Sequence, residues 1–290
     1  MLRKLKEFEY FEASSFSEAV SLLGQYGKEA WLIAGGTDLL VWMKEGARRP
    51  KAVINIKPIP EADQITFDEK KGLKIGSLVK ISQIQNSAVI QDRFTPLAQA
   101  AKELGSAQVR NLATIGGNLC TAAPSAETAP PLLTLNAKVT LHGAKGQREV
   151  PLEEFFTGPG STVLDGEVLT EILIPTSASG TRGVYKRISR RNAVDMAIVG
   201  VAAVGDISKD SKKWQNIKIA LGAVAPTPIR AVKAENVLKG RKIESASIQE
   251  AAQTASEEAR PISDIRASAW YRKEMVKVLV RRSLEEISKT

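Results

Sequence analysis

The order of apolar and polar positions along the first sixty residues predicts a compact α/β unit. Short apolar runs alternate with amphipathic stretches, and serine and glycine stand where a helix would begin and end. Ser15 and Ser17 are candidate N-caps, and Gly27 is a candidate C-terminal stop. The predicted elements are a strand at 5–11, a helix at 17–26, a strand at 30–34, a helix at 39–45 and a strand at 52–56.

Beyond Pro58 and Pro60 the pattern predicts a second lobe. Thr95 and Pro96 form a helix start, with threonine as the N-cap and proline in the first turn. Ser82 is the candidate cap of a shorter helix before it. The predicted elements are a strand at 72–79, a helix at 97–104, and strands or strand-flanking segments at 132–141 and 166–175.

The last third of the chain predicts an antiparallel sheet followed by helices. The charged residues 208–213 read as the turn of a hairpin, and the proline-rich residues 225–228 are expected to end the sheet. Ser247 with Glu250 is a capping-box pattern for the middle of three helices. The last helix is predicted at 268–288. The three strands are predicted at 184–188, 196–207 and 215–224.

Charge divides the chain in the same place as this change of pattern. The chain has 290 residues and a net charge of +9. Residues 1–182 hold 20 basic and 20 acidic side chains, whereas residues 183–290 hold 21 basic and 12 acidic ones. Together with the small polar residues 177–181, this step predicts domains at 1–178, with lobes 1–57 and 58–178, and at 179–290. A basic excess also fits a nucleic-acid-binding protein, which stays an alternative.

Scarce cysteine and histidine exclude several kinds of chemistry. Cys120 is the one cysteine and His142 the one histidine. The chain therefore cannot form an internal disulfide or build a zinc or iron–sulfur site from thiolates and imidazoles, and no metal site is predicted. Cys120 is expected to be a small buried residue, and His142 a surface or turn residue. The sequence shows neither a signal peptide nor a transmembrane span, so a cytoplasmic protein is expected.

Two glycine pairs are the candidate functional loops. Gly35-Gly36 and Gly116-Gly117 each follow an apolar stretch at a predicted sharp turn. Glycine permits positive φ and close approach of a ligand, and successive N–H groups in such turns suit an anion. The alternative is that each pair is only a tight turn. Neither matches a dinucleotide or P-loop fingerprint.

Two longer segments carry a family resemblance. Residues 34–40, AGGTDLL, and residues 114–127, TIGGNLCTAAPSAE, together resemble the flavoprotein (medium) subunits of molybdenum hydroxylases. That group includes the medium subunit of carbon monoxide dehydrogenase and the FAD subunit of xanthine dehydrogenase. Residues 168–175, 185–191 and 266–273 are also similar to segments of these subunits, so the resemblance covers nearly the whole chain.

The resemblance implies a fold and a set of cofactor contacts. The expected fold is α+β: a two-lobed FAD-binding domain of the vanillyl-alcohol-oxidase type, and a smaller domain with a three-stranded antiparallel sheet and about three helices. FAD would lie non-covalently between the lobes, and Glu127 stands where the family usually has an aspartate. The implied contacts are Leu32, Ile33, Ala34, Gly35, Gly36, Thr37, Asp38, Leu39, Thr114, Ile115, Gly116, Gly117, Asn118, Glu127, Leu169 and Lys186.

The resemblance also implies a place in a larger assembly. Substrate would be oxidised at a molybdopterin centre of a large subunit, and electrons would pass through two [2Fe-2S] clusters of a small subunit to this FAD. NAD⁺ or another acceptor would then receive them. The protein supplies binding and orientation while the flavin supplies the redox chemistry, so no catalytic side chain is expected. A stand-alone FAD reductase of the same fold, such as an enolpyruvyl-sugar reductase, is the alternative within the class.

Overall fold

A computed structural model describes residues 5–176, 180–208 and 213–289. The predicted domain boundary between residues 178 and 179 lies outside the described residues. So do residues 209–212, the centre of the predicted hairpin turn.

The N-terminal lobe is the α/β unit that the sequence predicts. Its three short strands form a parallel sheet in the order β1-β3-β2, and the central β3 is buried along its whole length. The Ser15 side chain accepts a hydrogen bond from the N–H of Glu18, which confirms the predicted cap of α1. The elements are β1 (Glu9–Glu12), α1 (Phe16–Tyr26), β2 (Ala30–Ile33), α2 (Leu39–Glu45) and β3 (Ala52–Asn55).

The central lobe contains a five-stranded antiparallel sheet covered by short helices. The strand order is β4-β5-β10-β6-β7, so the last strand of the lobe lies in the middle of its sheet. The elements are β4 (Ile65–Asp68), β5 (Gly72–Gly76), α3 (Ile81–Asn86), α4 (Ala88–Arg93), α5 (Thr95–Glu103), α6 (Ala107–Arg110), α7 (Ile115–Cys120), α8 (Ala129–Thr134), β6 (Lys138–Gly143), β7 (Gly146–Pro151), α9 (Leu152–Phe155), β8 (Phe156–Gly158), β9 (Ser161–Thr162) and β10 (Val168–Ile174).

Three predictions for the central lobe are wrong in detail. The strand or strand-flanking segment predicted at 132–141 begins as helix α8, because Pro130 and Pro131 stand in the first turn, where proline favours a helix. Helix α3 is capped at Lys80 and not at Ser82. Thr95 lies inside α5, whose N-cap is Phe94.

The C-terminal domain is an antiparallel sheet with three helices on it. The prediction of three strands misses a fourth, because Ile229 and Arg230 pair with Leu221 and Ala220 directly after the proline-rich residues. Its strands are β11 (Arg182–Ile188), β12 (Val199–Gly205), β13 (Lys218–Gly222) and β14 (Ile229–Arg230). Its helices are α10 (Val232–Leu238), α11 (Ser245–Glu258) and α12 (Ala269–Ser288).

The caps of the last two helices differ in how well the sequence predicts them. Helix α11 starts before Ser247, because Glu244 is its N-cap and Ser247 is the third helical residue of the capping box. The side chain of Ser268 accepts a hydrogen bond from the N–H of Tyr271, so the predicted start of α12 is confirmed.

The central lobe and the C-terminal domain are packed directly against each other. Helix α5 lies on β11, and α8 lies on β12 and β13. The side-chain oxygen of Gln99 accepts a hydrogen bond of 2.7 Å from the N–H of Tyr185. These contacts bring the start of β11 next to the segment between α7 and α8.

Candidate functional site

A cavity of about 440 Å³ lies between the N-terminal lobe and the central lobe. This volume is within the range of roughly 300–1,000 Å³ that is typical of small-molecule sites. One wall is the end of β2 with the loop that follows it and α2, and the other is α7 with the residues around it. The lining residues are Trp31, Leu32, Ile33, Ala34, Gly35, Gly36, Thr37, Asp38, Leu39, Trp42, Leu104, Val109, Ala113, Thr114, Gly117, Asn118, Cys120 and Thr121.

The first glycine pair forms a close contact between the two walls. A Cβ added to Gly35 would lie 2.1 Å from the carbonyl oxygen of Leu112, so only glycine fits there without moving the backbone. Gly36 has a φ of +70°, the left-handed conformation that glycine adopts at little cost. The sequence prediction of a sharp, glycine-dependent turn is therefore confirmed at this pair.

This turn leaves backbone donors available to a ligand. Within the described parts of the chain, no group accepts a hydrogen bond from the N–H of Gly35, Gly36 or Thr37. Unpaired N–H donors are rare in buried backbone and are satisfied by water or a ligand. Successive donors that face one cavity suit the oxygens of an anion such as a diphosphate.

The second glycine pair is different from the prediction, because it lies in a helix and not in a turn. Thr114 caps α7 and accepts a hydrogen bond of 3.1 Å from the N–H of Gly117. The N–H groups of Ile115 and Gly116 donate to carbonyl oxygens of the central lobe, at Val79 and Ser77. These donors are therefore not available to a ligand, and this pair forms no open anion nest.

Only part of the second segment reaches the cavity. Thr114, Gly117 and Asn118 line it, whereas Ile115 and Gly116 are buried behind the wall. The Asn118 side-chain oxygen accepts a hydrogen bond of 2.6 Å from the hydroxyl of Thr128. That bond fixes the amide so that its NH₂ group, which has no acceptor among the described residues, is the end left for a ligand.

Electrostatically, the cavity is nearly neutral. Asp38 is its one charged lining residue among those that the structure describes. Its carboxylate does not cap α2 and instead accepts a hydrogen bond from the Thr121 hydroxyl on the opposite wall. The lining holds no cation to compensate an anion, so backbone and amide donors have that role.

Three residues that the resemblance implies for the cofactor lie away from this cavity. Leu169 is buried in the core of the central lobe. Lys186 pairs with Glu286 at 2.5 Å and lines a separate cavity of about 300 Å³. Glu127 is buried below β11. Their contact with the cofactor stays a prediction.

Glu127 is instead the centre of a buried polar cluster. Its carboxylate accepts hydrogen bonds from the Tyr185 hydroxyl and, at 2.8 Å, from the Arg187 guanidinium. Burial raises the pKa of Glu127, while the bonds from Tyr185 and Arg187 act in the opposite direction. Arg187 also pairs with Glu103 at 3.0 Å. The cluster thus ties the central lobe to the C-terminal domain.

Several lining residues were not predicted from the sequence. Trp31 precedes the first glycine pair and Trp42 follows it, and both line the cavity. The chain has only four tryptophans, so two of them this close to the glycine pair was the signal that could have identified them. Cys120 was expected to be buried but is exposed and lines the cavity. His142 lies in strand β6, half-buried, with Nε2 3.2 Å from the hydroxyl of Ser17.

Comparison with known proteins assigns both parts of the chain. Residues 6–177 match the family model described as the FAD binding domain in molybdopterin dehydrogenase. Residues 184–287 match the CO dehydrogenase flavoprotein C-terminal domain. The chain belongs to the molybdopterin dehydrogenase flavoprotein family. FAD is accordingly its cofactor, and it is an oxidoreductase subunit.

Members of this flavoprotein family resemble the chain over nearly its full length. The carbon monoxide dehydrogenase medium chain of Hydrogenophaga pseudoflava is 36% identical over 278 residues, which is 96% of each chain. The xanthine dehydrogenase FAD-binding subunit of Escherichia coli O157:H7 is 30% identical and covers 96% of this chain and 94% of its own. The glyceraldehyde dehydrogenase medium chain of Sulfolobus acidocaldarius is 32% identical, with 97% and 99% covered.

A solved structure of the same family has the same fold. Carbon monoxide dehydrogenase from Hydrogenophaga pseudoflava superimposes with a TM-score of 0.94 at 36% sequence identity, over 98% of both chains. The predicted fold class is thereby confirmed. Nothing in the comparisons supports the nucleic-acid alternative, and none of the helices in the described residues has the length and apolarity to span a membrane.

The cavity fits the cofactor of this flavoprotein family. It offers three free backbone N–H groups on one wall and the Asn118 amide on the other. The remainder of the lining is largely apolar, as a ring system requires.

Proposed function

We propose that the chain is the FAD-carrying subunit of a multisubunit molybdenum hydroxylase and passes electrons from the iron–sulfur clusters of a partner subunit to NAD⁺ or another acceptor. The observation that carries this proposal is the cavity between the two lobes, where the N–H donors of a glycine loop have no acceptor among the described residues. The assembly into several chains is supported by relatives that are themselves named as medium chains or FAD-binding subunits.

The role of the chain's own residues is to bind and orient. We assign the N–H groups of Gly35, Gly36 and Thr37 to the diphosphate, and the Asn118 amide to a hydroxyl or ring oxygen. The bound flavin supplies the hydride and single-electron chemistry.

Partner chains would hold the other redox centres. Among the described residues, no group of three or more His, Cys, Asp or Glu side chains could hold a metal ion. We place the molybdopterin on a large subunit and the [2Fe-2S] clusters on a small subunit, a division supported by relatives that are named as a medium chain and as an FAD-binding subunit. The division of this chain into residues 1–178 and 179–290 is part of the same proposal.

The positive charge of the C-terminal domain suits contacts with a partner subunit or with an anionic electron acceptor. Residues 183–290 carry the entire net charge of +9. We assign this domain to an acidic partner surface or to the attraction of an anionic acceptor such as NAD⁺. The rate of acceptor reduction should then fall as ionic strength rises. A rate that is indifferent to salt would count against attraction of the acceptor.

Gentle purification of the tagged chain from its native cell tests the proposed function. We expect equimolar FAD, one copurifying chain with molybdopterin and another with iron–sulfur clusters. A lone chain that oxidises NAD(P)H with a small substrate would instead identify the stand-alone reductase. Colourless protein that retains nucleic acid in a salt-sensitive way would contradict both flavoprotein hypotheses.

A further inference from the structure

Two tryptophans form one end of the cavity. Trp31 is the second residue of β2, and Trp42 lies in α2 on the far side of the glycine loop. Both are half-buried and line the cavity. Their rings meet edge to face, with centroids 6.3 Å apart and an interplanar angle of 79°. The cavity therefore ends in a corner made of two indole surfaces.

Arg48 holds this corner in place from outside. Its guanidinium carbon lies 4.8 Å from the centroid of Trp31 and 5.7 Å from that of Trp42. Arg48 forms no ion pair with any described residue, so no carboxylate competes with the two rings for its guanidinium. A cation on an aromatic face adds stability and restricts ring rotation. The two indoles are thus preorganised before a ligand arrives.

The position of this corner indicates which half of FAD it faces. Trp31 and Trp42 both belong to the N-terminal lobe, where the strand that carries Trp31 pairs with β3. On the opposite wall Thr121 lines the cavity, and three residues further along the carbonyl of Pro124 accepts a hydrogen bond of 2.7 Å from the N–H of Ala223 in the C-terminal domain. The isoalloxazine ring of FAD must be reached by an electron donor and an acceptor, which favours the part of the cavity next to the C-terminal domain. The corner formed by the N-terminal lobe alone is then left for adenine, the ring that has no redox chemistry.

We propose that the adenine ring of FAD packs into this corner, stacked on the face of Trp42 and meeting Trp31 edge to face, so that this corner selects FAD over flavins that lack adenine. The inference rests on the proposed function, because it requires FAD in this cavity. Aromatic stacking accepts a purine by its π-face and needs no charged partner. Among the described lining residues Asp38 is the only charged one, which is consistent with recognition by stacking.

Titration of the flavin-free chain with FAD and with ADP tests the assignment. ADP carries the adenine and both phosphates but no isoalloxazine. We expect Trp42→Ala to raise the Kd for both ligands by the same factor, about 5- to 150-fold, which is the range that base–aromatic stacking contributes. Trp42→Phe keeps an aromatic face and should recover most of the affinity. Trp270→Ala is the matched control, because Trp270 is 71% exposed on α12.

The outcomes separate this inference from the function on which it rests. Failure of the wild-type chain to bind FAD would remove the proposed function itself. With wild-type FAD binding intact, three results would overturn the stacking assignment: unchanged FAD affinity in Trp42→Ala, a loss for FAD but not for ADP, or no measurable ADP affinity in the wild type. Circular dichroism and the thermal transition of each variant show that the compared proteins are folded.

Discussion

The Thr121 hydroxyl donates a hydrogen bond of 3.0 Å to the Asp38 carboxylate, across the cavity and across 83 residues of sequence. Asp38 follows the first glycine pair, and Thr121 directly follows helix α7, which contains the second. The bond therefore joins the two walls at the point where the resemblance places the cofactor. It also explains why Asp38 does not cap its own helix.

Removal of this bond should loosen the contact between the lobes. Thr121→Val deletes the hydroxyl at nearly constant volume, so we expect the free energy of unfolding to fall by about 1 kcal/mol, the usual net value of one hydrogen bond. FAD should also bind more weakly, because the walls are no longer held together. Denaturant unfolding and FAD titration measure the two effects. Thr121→Ser retains the donor and should resemble the wild type in both.

Substitutions of the three glycines at the cavity should differ in their effects on folding and on flavin content. A Cβ on Gly117 would meet only the Thr114 hydroxyl, at 3.0 Å, so Gly117→Val should fold but contain little flavin. Gly36→Val should do the same, with added strain from its φ of +70°. Gly35→Ala should be destabilised more, because its Cβ overlaps the Leu112 backbone. Flavin content per folded chain is the measurement.

Gly24 provides the control for these glycine variants. It lies in α1, and nothing is within 4 Å of an added Cβ. Gly24→Ala should keep full flavin content and gain about 0.5–1 kcal/mol of stability from helix propensity. Equimolar FAD in both Gly36→Val and Gly117→Val would refute the assignment of these loops to the cofactor.

The sequence predicts the first half of the site better than the second. Gly36 needs glycine for its own local backbone, with a φ of +70°, so its neighbours in sequence reveal the turn, whereas Gly35 needs glycine because the Leu112 carbonyl approaches it from the opposite wall. Gly116 needs glycine because Ser77 approaches it from another element, with Ser77 O 2.7 Å from an added Cβ. Such a contact depends on tertiary packing, and the local pattern of Gly116 and Gly117 therefore predicted a turn where a helix exists.

The same distinction explains the errors in the fold. Helix α12 is found where predicted because its cap and its apolar stripe are both local signals. The edge strand β7 was missed because it is mostly exposed and its sequence, GQREVP, has no apolar alternation. Glu127 could be placed near other polar groups only by the fold, because Tyr185 and Arg187 lie about sixty residues further along the chain.

In the buried pair of Glu127 and Arg187, removing the charge of Arg187 should lower the free energy of unfolding more than removing the charge of Glu127. Both side chains are less than a tenth exposed. Arg187→Met leaves the Glu127 carboxylate buried beside Tyr185 alone, so we expect a loss of about 3–5 kcal/mol of unfolding free energy. Glu127→Gln should cost less, because the amide still accepts a hydrogen bond and Arg187 keeps Glu103. Equal losses in urea unfolding would contradict this account.

Asp264 should make stability dependent on pH in the acid range. Partial burial opposes ionisation of Asp264, but the N–H of Arg266, the Arg272 guanidinium and the N–H of Ala267 outweigh it and lower its pKa. A lowered pKa in the folded state stabilises the protein above the unfolded value of about 3.9. This contribution is lost as the pH falls through the folded pKa.

A comparison of wild type with Asp264→Asn measures that contribution. The difference in unfolding free energy should be largest near neutral pH and should shrink steadily below about pH 5. Asp63→Asn is the control for loss of an exposed carboxylate, because the Asp63 side chain has no hydrogen bond or ion pair among the described residues, so its effect on stability should not change in this pH range. A difference for Asp264→Asn that stays constant between neutral and acid pH would contradict the assignment.

Lys186 permits a direct test of a contact implied by family resemblance alone. Its Nζ lies 2.5 Å from Glu286, and neither residue lines the cavity at the glycine loops. If this pairing persists when FAD is bound, Lys186→Met and Glu286→Gln should each change the Kd for FAD less than about twofold and lower stability by about 0–1 kcal/mol, as for other partly exposed ion pairs. If Lys186 instead reaches the cofactor, Lys186→Met alone should weaken FAD binding by about tenfold, the value of one charge-assisted hydrogen bond. FAD titration of the two variants beside the wild type therefore decides between the two positions of the ammonium group.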